Sequence, residues 1–426
     1  MAEQLIIDFI STGDEVLTGE IDDTNASWIS RFLLEQGLLL SRRYTVADNL
    51  DELVAVFSEC SRRADIVIVN GGLGPTEDDL SAAALATALG QPLVIFDDWV
   101  QQMRAKYLRI NRVMSPANLK QALLPQGIDI IDNLVGTACG FQVQHHRAMF
   151  YFTPGVPHEF KTMLRGKIWS DLSTRFNLPP RQIVRKFFTY GYGESDLVGM
   201  LQPLQLPPAI TLGYRAAMPF IEIKLTAAAG PELDARCVQL KQLLGERLLY
   251  CDDSSLAAEI QRMMIAAGKT LALAESCTGG LAASTLIAEP GSSAYFDRGF
   301  VTYSWAAKCE LLGVVLSQLE QSGAVSETVA AAMAAGALNN SAADIALSIT
   351  GVAGPNDHAT PAGELQPKGR VVFSLAVRGG YTTTLVCQFR YRSRTQIRQM
   401  AATFALDMLR RYLSDLPVKS DLNYLL

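Results

Sequence analysis

The stretch Ala274-Glu275-Ser276-Cys277-Thr278-Gly279-Gly280 holds the residue types that acyl transfer needs. An apolar run, Thr270 to Leu273, precedes it, and a small-residue run, Leu281 to Ala288, follows. The first reads as a strand and the second as a helix. A strand that turns sharply into a helix exposes a hydroxyl beside unpaired backbone N–H groups, at the positive end of the helix. Ser276 is then a candidate nucleophile, with an oxyanion hole among the N–H groups of Thr278, Gly279 and Gly280. The alternative is that Ser276 or Thr278 caps the helix while the glycines make a tight turn. Downstream, Thr302-Tyr303-Ser304-Trp305-Ala306-Ala307-Lys308 supplies a lysine. A lysine near a serine acts as its general base if burial lowers its pKa, and Tyr303 could relay the proton or hold the lysine. The alternative is a surface lysine at a helix start.

A second chemical stretch is Gly71-Gly72-Leu73-Gly74-Pro75-Thr76-Glu77-Asp78-Asp79. Its glycines let backbone N–H groups approach an anion, and Asp78 and Asp79 could hold a hard divalent cation. Asp14, at the end of the first strand, could join them on the same sheet edge. The competing interpretation is a Gly-Pro turn followed by an acidic helix N-terminus. His158 and Glu159 read as surface residues at a helix N-terminus, and His145-His146 as a solvated turn.

Alternating elements must position these stretches. Leu5 to Ile10, Leu38 to Val46 and Asp65 to Asn70 read as strands, with helices over Asn25 to Gln36 and Leu50 to Arg62 between them. The third strand is apolar throughout, as in parallel sheets. This pattern predicts a doubly wound α/β domain with ligands at the carboxyl ends of its strands. From about Phe176, prolines punctuate a small α+β unit. Its expected elements are Ile183 to Tyr190, Glu194 to Leu201, Phe220 to Ala227 and Pro231 to Leu249. A helix over Ser254 to Ala267, with Ser254 as N-cap, opens the last domain. Strands at Phe296 to Val301 and Asp344 to Thr350 follow in it.

The 426 residues allow two or three domains, and 49% hydrophobic with 19% charged residues describes a globular chain. A net charge of −6 with no basic run argues against nucleic acid as a partner. No apolar run is long enough for a membrane span. Met1-Ala2-Glu3-Gln4 lacks the basic region of a signal peptide, and the 7 scattered cysteines read as reduced thiols. A cytoplasmic protein is expected. The 4 histidines lack metal spacing.

Thr12-Gly13-Asp14-Glu15, Asp23-Thr24-Asn25, Gly71 to Asp79, Gly136 to Phe141 and Pro154 to Phe160 resemble the N-terminal domain of the CinA family, which is similar to molybdopterin-binding domains. Ala274 to Gly280, Tyr303-Ser304 with Lys308, Gly323 to Glu327 and Thr350 to Pro355 resemble its C-terminal domain, which is similar to nicotinamide-nucleotide amidase. The resemblance implies two three-layer α/β domains, 1–170 and 253–416, joined by a small KH-like α+β domain, 171–252. It implies deamidation of nicotinamide mononucleotide (NMN), with Ser276 as nucleophile, Lys308 as base and Tyr303 as its partner. Thr278, Gly279, Gly280, Thr350, Gly351, Ala353 and Gly354 would line that site, with Arg394 or Arg398 near the phosphate and no cofactor. It further implies an ADP-ribose pyrophosphatase at Thr12, Asn25, Gly71, Gly72, Gly74, Thr76, Gly136 and Gly155. Asp14, Asp78 and Asp79 would there serve a divalent cation (Mg, Mn or Co). A homodimer is expected. The alternatives are an N-terminal nucleotide- or molybdopterin-binding module without turnover, and a DNA-transformation partner. Three departures from the family pattern are Cys139 for proline, Trp305 for asparagine and Arg392-Ser393 for Gly-Asp.

Overall fold

The computed structural model describes residues 5–361, 363–390 and 392–419, so the Met1–Gln4 reading lies outside the described residues. The chain divides into two compact units, Met1–Ile183 and Val184–Leu426. The sequence reading drew three domains, with limits at 170/171 and 252/253. The two-unit division cuts this connecting segment, with 171–183 in the first unit and the rest in the second, where Tyr190 and Leu249 share a core with Leu256 and Ile260.

The first unit is built on a six-stranded sheet in the order Leu40–Val46, Ile7–Thr12, Ile66–Asn70, Ala148–Thr153, Gly140–His145, Asp129–Ile131. The first four strands are parallel and the last two antiparallel. Ile66–Asn70 is buried along its whole length, as a central strand covered on both faces must be. Alternate residues feed different cores. Val67, Val69, Phe150 and Phe152 pack with Leu53 and Phe57 of the helix Leu50–Arg63. Ile66, Ile68, Met149 and Tyr151 pack with Ile29 and Leu33 of the helix Thr24–Glu35. Burial of each such side chain is worth about 1.5–3 kcal/mol. The unit is therefore a three-layer α/β sandwich, and its strand ends gather Thr12, Asn70 and Thr153 on one edge.

The second unit holds two main sheets. The smaller has the order Thr211–Ala217, Phe220–Ala228, Gln182–Tyr190, Leu248–Cys251. Its first and last strands are absent from the sequence reading, which saw only proline-broken segments and extended a helix to Leu249. That helix stops at Leu244. The larger sheet runs Phe296–Val301, Leu271–Glu275, Ile345–Gly351, Arg370–Val377, Thr382–Gln388, with its first three strands parallel. Leu271 and Leu273 point to a core with the helices Leu256–Ala267 and Arg394–Leu413. Ala272 and Ala274 face the helix Glu327–Asn339. Small residues on that side let the helix lie close to the sheet. Ser255, not Ser254, caps Leu256–Ala267, accepting from Ala258 N at 2.9 Å. Among the described residues no helix is long and apolar enough to cross a membrane.

Candidate active site

The strand Leu271–Glu275 ends where Ser276 begins a turn that leads to the helix Leu281–Ile287. Ser276 N donates to Ile349 O at 2.8 Å, which fixes the residue against the neighbouring strand. Gly279 at φ 59° and Gly280 at φ 89° take the left-handed conformations the turn demands. Neither Ser276 nor Thr278 caps the helix. Glu275 does so from before the turn: its carboxylate accepts from Gly280 N at 3.0 Å, Ala282 N at 3.2 Å and Ala283 N at 2.8 Å. Glu275 is 1% exposed, and no sequence rule placed a cap so far ahead of its helix.

Lys308 lies in the helix Trp305–Leu312, which Ser304 caps by accepting from Ala307 N at 3.1 Å. The lysine is 1% exposed, not on the surface. Its Nζ lies 3.1 Å from Ser276 Oγ and donates to Thr302 O at 2.7 Å. No carboxylate forms an ion pair with it among the described residues. Burial therefore lowers its pKa to about 8. Cys277 beside it is inert, because burial raises its thiol to about 12.

Other assignments are corrected. Tyr303 is 63% exposed, and its hydroxyl accepts from Arg394 at 3.2 Å; the Thr302 carbonyl holds Lys308 instead. The N–H groups of Gly279 and Gly280 are already engaged, the first by Ser276 O at 3.1 Å and the second by Glu275. Those of Cys277 and Thr278 donate to no described acceptor, so the free donors sit one or two residues closer to the nucleophile. Arg398 donates to Thr278 O at 2.8 Å and braces the turn, leaving Arg394 as the arginine that lines the cleft. Thr350 Oγ1 donates to Ala324 O at 2.7 Å. Thr350, Gly351, Ala353 and Gly354 do line this cleft of about 450 Å³, together with Ser276, Tyr303, Trp305 and Lys308.

The first unit carries a cleft of about 520 Å³ lined by Thr12, Gly71, Gly72, Gly74, Asp78, Asp79 and Gly155. At Gly71, φ is 112° and a Cβ would stand 2.6 Å from Thr12 Oγ1, so only glycine fits. Thr12 Oγ1 itself is buried without a partner among the described residues. Asn25 is placed as a brace: its Nδ2 donates to Asn70 Oδ1 at 2.9 Å and Gly155 O at 2.7 Å. Thr76, exposed at the turn, donates from N at 2.8 Å and Oγ1 at 2.5 Å to Asp79. Gly136 N donates to Asn133 Oδ1 at 3.0 Å, behind the lining residues Thr137 and Ala138. Glu159 lines the cleft and accepts from Asn133 at 2.7 Å, so it is more than a surface residue.

The proposed metal set is not assembled. Among the described residues no three His, Cys, Asp or Glu side chains are placed to hold a metal ion. Asp79 caps the Thr76 turn, and Asp14 Oδ1 accepts from Asp48 N at 3.1 Å. Asp48, unmentioned in the sequence reading, also lines the cleft, and burial raises its pKa.

Comparison with known proteins follows this division. Residues 253–413 match the model described as CinA C-terminal domain, and residues 8–172 match the probable molybdopterin binding domain. A CinA-like protein of Shewanella piezotolerans is 46% identical over 412 residues, covering 96% of this chain and 96% of its own. The protein named nicotinamide-nucleotide amidohydrolase PncC in Shewanella oneidensis is 44% identical over 410 residues, again 96% of each. A crystal structure of CinA from Thermoplasma acidophilum, of unknown function, has 33% identity and a TM-score of 0.37, covering 40% of this chain and 98% of that one.

Proposed function

The chain belongs to the CinA family, and from that premise we propose that its C-terminal cleft hydrolyses the carboxamide of nicotinamide mononucleotide to nicotinate mononucleotide and ammonia. The observation that carries the reading is a buried lysine, without an acidic partner among the described residues, 3.1 Å from a serine hydroxyl. At pH 7 and a pKa of about 8, roughly a tenth of Lys308 is neutral and able to accept a proton. Ser276 Oγ attacks the amide carbon while its proton passes to Lys308 Nζ. The oxyanion meets the free N–H groups of Cys277 and Thr278. Lys308 gives the proton to the departing nitrogen, which leaves as ammonia. Water adds to the acyl-serine, Lys308 takes its proton, and the carboxylate product leaves with the serine hydroxyl restored. Arg394, exposed at the cleft, suits a phosphate. Ammonia release by wild type, lost in Ser276→Ala, is the expected outcome. Full activity in that variant would remove the assignment.

For the N-terminal cleft we propose binding of ADP-ribose and its cleavage to AMP and ribose 5-phosphate. The glycine cradle and the unpartnered Thr12 hydroxyl support it. The described carboxylates do not form a ready cation site, so no step is assigned to a metal. AMP release with Mg, Mn or Co, abolished by a chelator, is expected. Binding without release under any of these conditions would make the cleft a nucleotide-binding module.

A further inference from the structure

The second unit has another cleft, of about 800 Å³, that the amide chemistry leaves unused. Lys368, Arg390 and Arg392 line it. None of the three forms an ion pair or a side-chain hydrogen bond with another described residue. Acids outnumber bases in this chain, 43 to 37, so three cations on one cleft without a carboxylate partner are not a consequence of composition. Their mutual repulsion is relieved by an anion. Gln388, 7% exposed, adds a polar wall: its Nε2 donates to Lys368 O at 2.8 Å and its Oε1 has no partner among the described residues. The volume suits a ligand larger than one phosphate.

This cleft adjoins the amidase cleft at two points. Ser393 of its lining precedes Arg394 in the chain, and Arg394 lines the neighbouring site. The Lys368 backbone N–H donates at 2.7 Å to Asp357, which also lines that site. A mononucleotide has one phosphate, for which Arg394 is sufficient. We propose that the basic cleft receives further phosphate, so that the site takes pyridine nucleotides bearing a diphosphate as well as the mononucleotide. The inference rests on the amidase reading for its nicotinamide end.

The test uses the full chain and the triple variant Lys368→Gln, Arg390→Gln, Arg392→Gln. Nicotinate mononucleotide formation is measured with oxidised nicotinamide adenine dinucleotide as competitor, and inorganic pyrophosphate binding is measured at equilibrium. The variant should keep kcat/KM for NMN within about twofold, while Ki for the dinucleotide rises about tenfold or more. The pyrophosphate isotherm should lose one binding event. An unchanged Ki overturns the proposal, and a change confined to pyrophosphate reduces the cleft to a site for the free anion. If wild type forms no product from NMN, the amidase reading fails. Identical pyrophosphate isotherms for the two proteins would then overturn the anion site as well.

Discussion

The two clefts open beside the same kind of element, a buried strand that ends in a glycine-containing turn, yet their ionisable groups sit in opposite environments. In the C-terminal cleft Lys308 is 1% exposed and Ser276 8% exposed, and the only group that shifts to a useful range does so through burial. In the N-terminal cleft Asp78 is exposed and the carboxylate of Asp79 is spent on the Thr76 turn, while Asp14, also exposed, is not among the lining residues. Asp78 has its pKa lowered, first by the Thr76 hydroxyl, so it stays charged at any ordinary pH. A buried lysine without an acidic partner among the described residues loses its proton more readily, and its neutral amine is a base before substrate arrives. Exposed carboxylates acquire a task only when a ligand brings positive charge to them.

The largest expected effect is at the nucleophile. Ser276→Ala and Lys308→Ala should each lower amide hydrolysis by on the order of 10⁴-fold or more, and should leave AMP release from ADP-ribose unchanged. Parallel loss of both activities would mean the two clefts are not independent, and the contrast would collapse.

Lys308→Met should raise stability near neutral pH while abolishing activity. Burial holds the folded-state pKa near 8 against an ordinary 10.5, so between these values the unfolded chain binds the proton that the native chain releases. Stability therefore rises with pH across that window. Below it, the buried charge costs roughly 3 kcal/mol, which the methionine removes. Urea titrations of both proteins at pH 7 and pH 9.5 check this: the gain should shrink at the higher pH.

A smaller loss is expected from Glu275→Gln. The amide replaces one of two acceptor oxygens with a donor facing backbone N–H groups, costing about 2–3 kcal/mol in denaturant titrations. Smallest is the contrast within the N-terminal cleft. Asn25→Ala, which breaks one buried and one part-buried hydrogen bond, should cost about 1–2 kcal/mol, whereas Asp78→Asn should leave Tm unchanged. A clear fall in Tm for Asp78→Asn would show that its contact with the Thr76 hydroxyl supports the fold.

Much of this was readable from residue pattern. Continuously apolar runs marked the central strands, and the strand-turn-helix reading of Leu271 to Ile287 put a serine at the turn. What escaped depended on three-dimensional placement. Glu275 gave no signal, because a side chain five to eight residues before the amides it caps reaches them only through the left-handed pair Gly279-Gly280. Tyr303 was expected beside Lys308, as the resemblance implies, but its exposed ring lines the cleft and its hydroxyl accepts from Arg394. Asn25, Thr76 and Gly136 were expected at a ligand; each donates to a neighbouring side chain, Asn70, Asp79 and Asn133, bonds that a linear pattern does not announce. The strands Thr211–Ala217 and Leu248–Cys251 were hidden by surrounding prolines and by a helical pattern running on past its glycine stop at Gly245.

Lys308 as the base is tested most directly by kcat/KM for deamidation of NMN between pH 6 and 10, without added metal. It should rise nearly tenfold per pH unit and level off near pH 8, with no such rise in Lys308→Ala. A profile flat across this range in wild type, or the same rise in the variant, would contradict the buried lysine as the base.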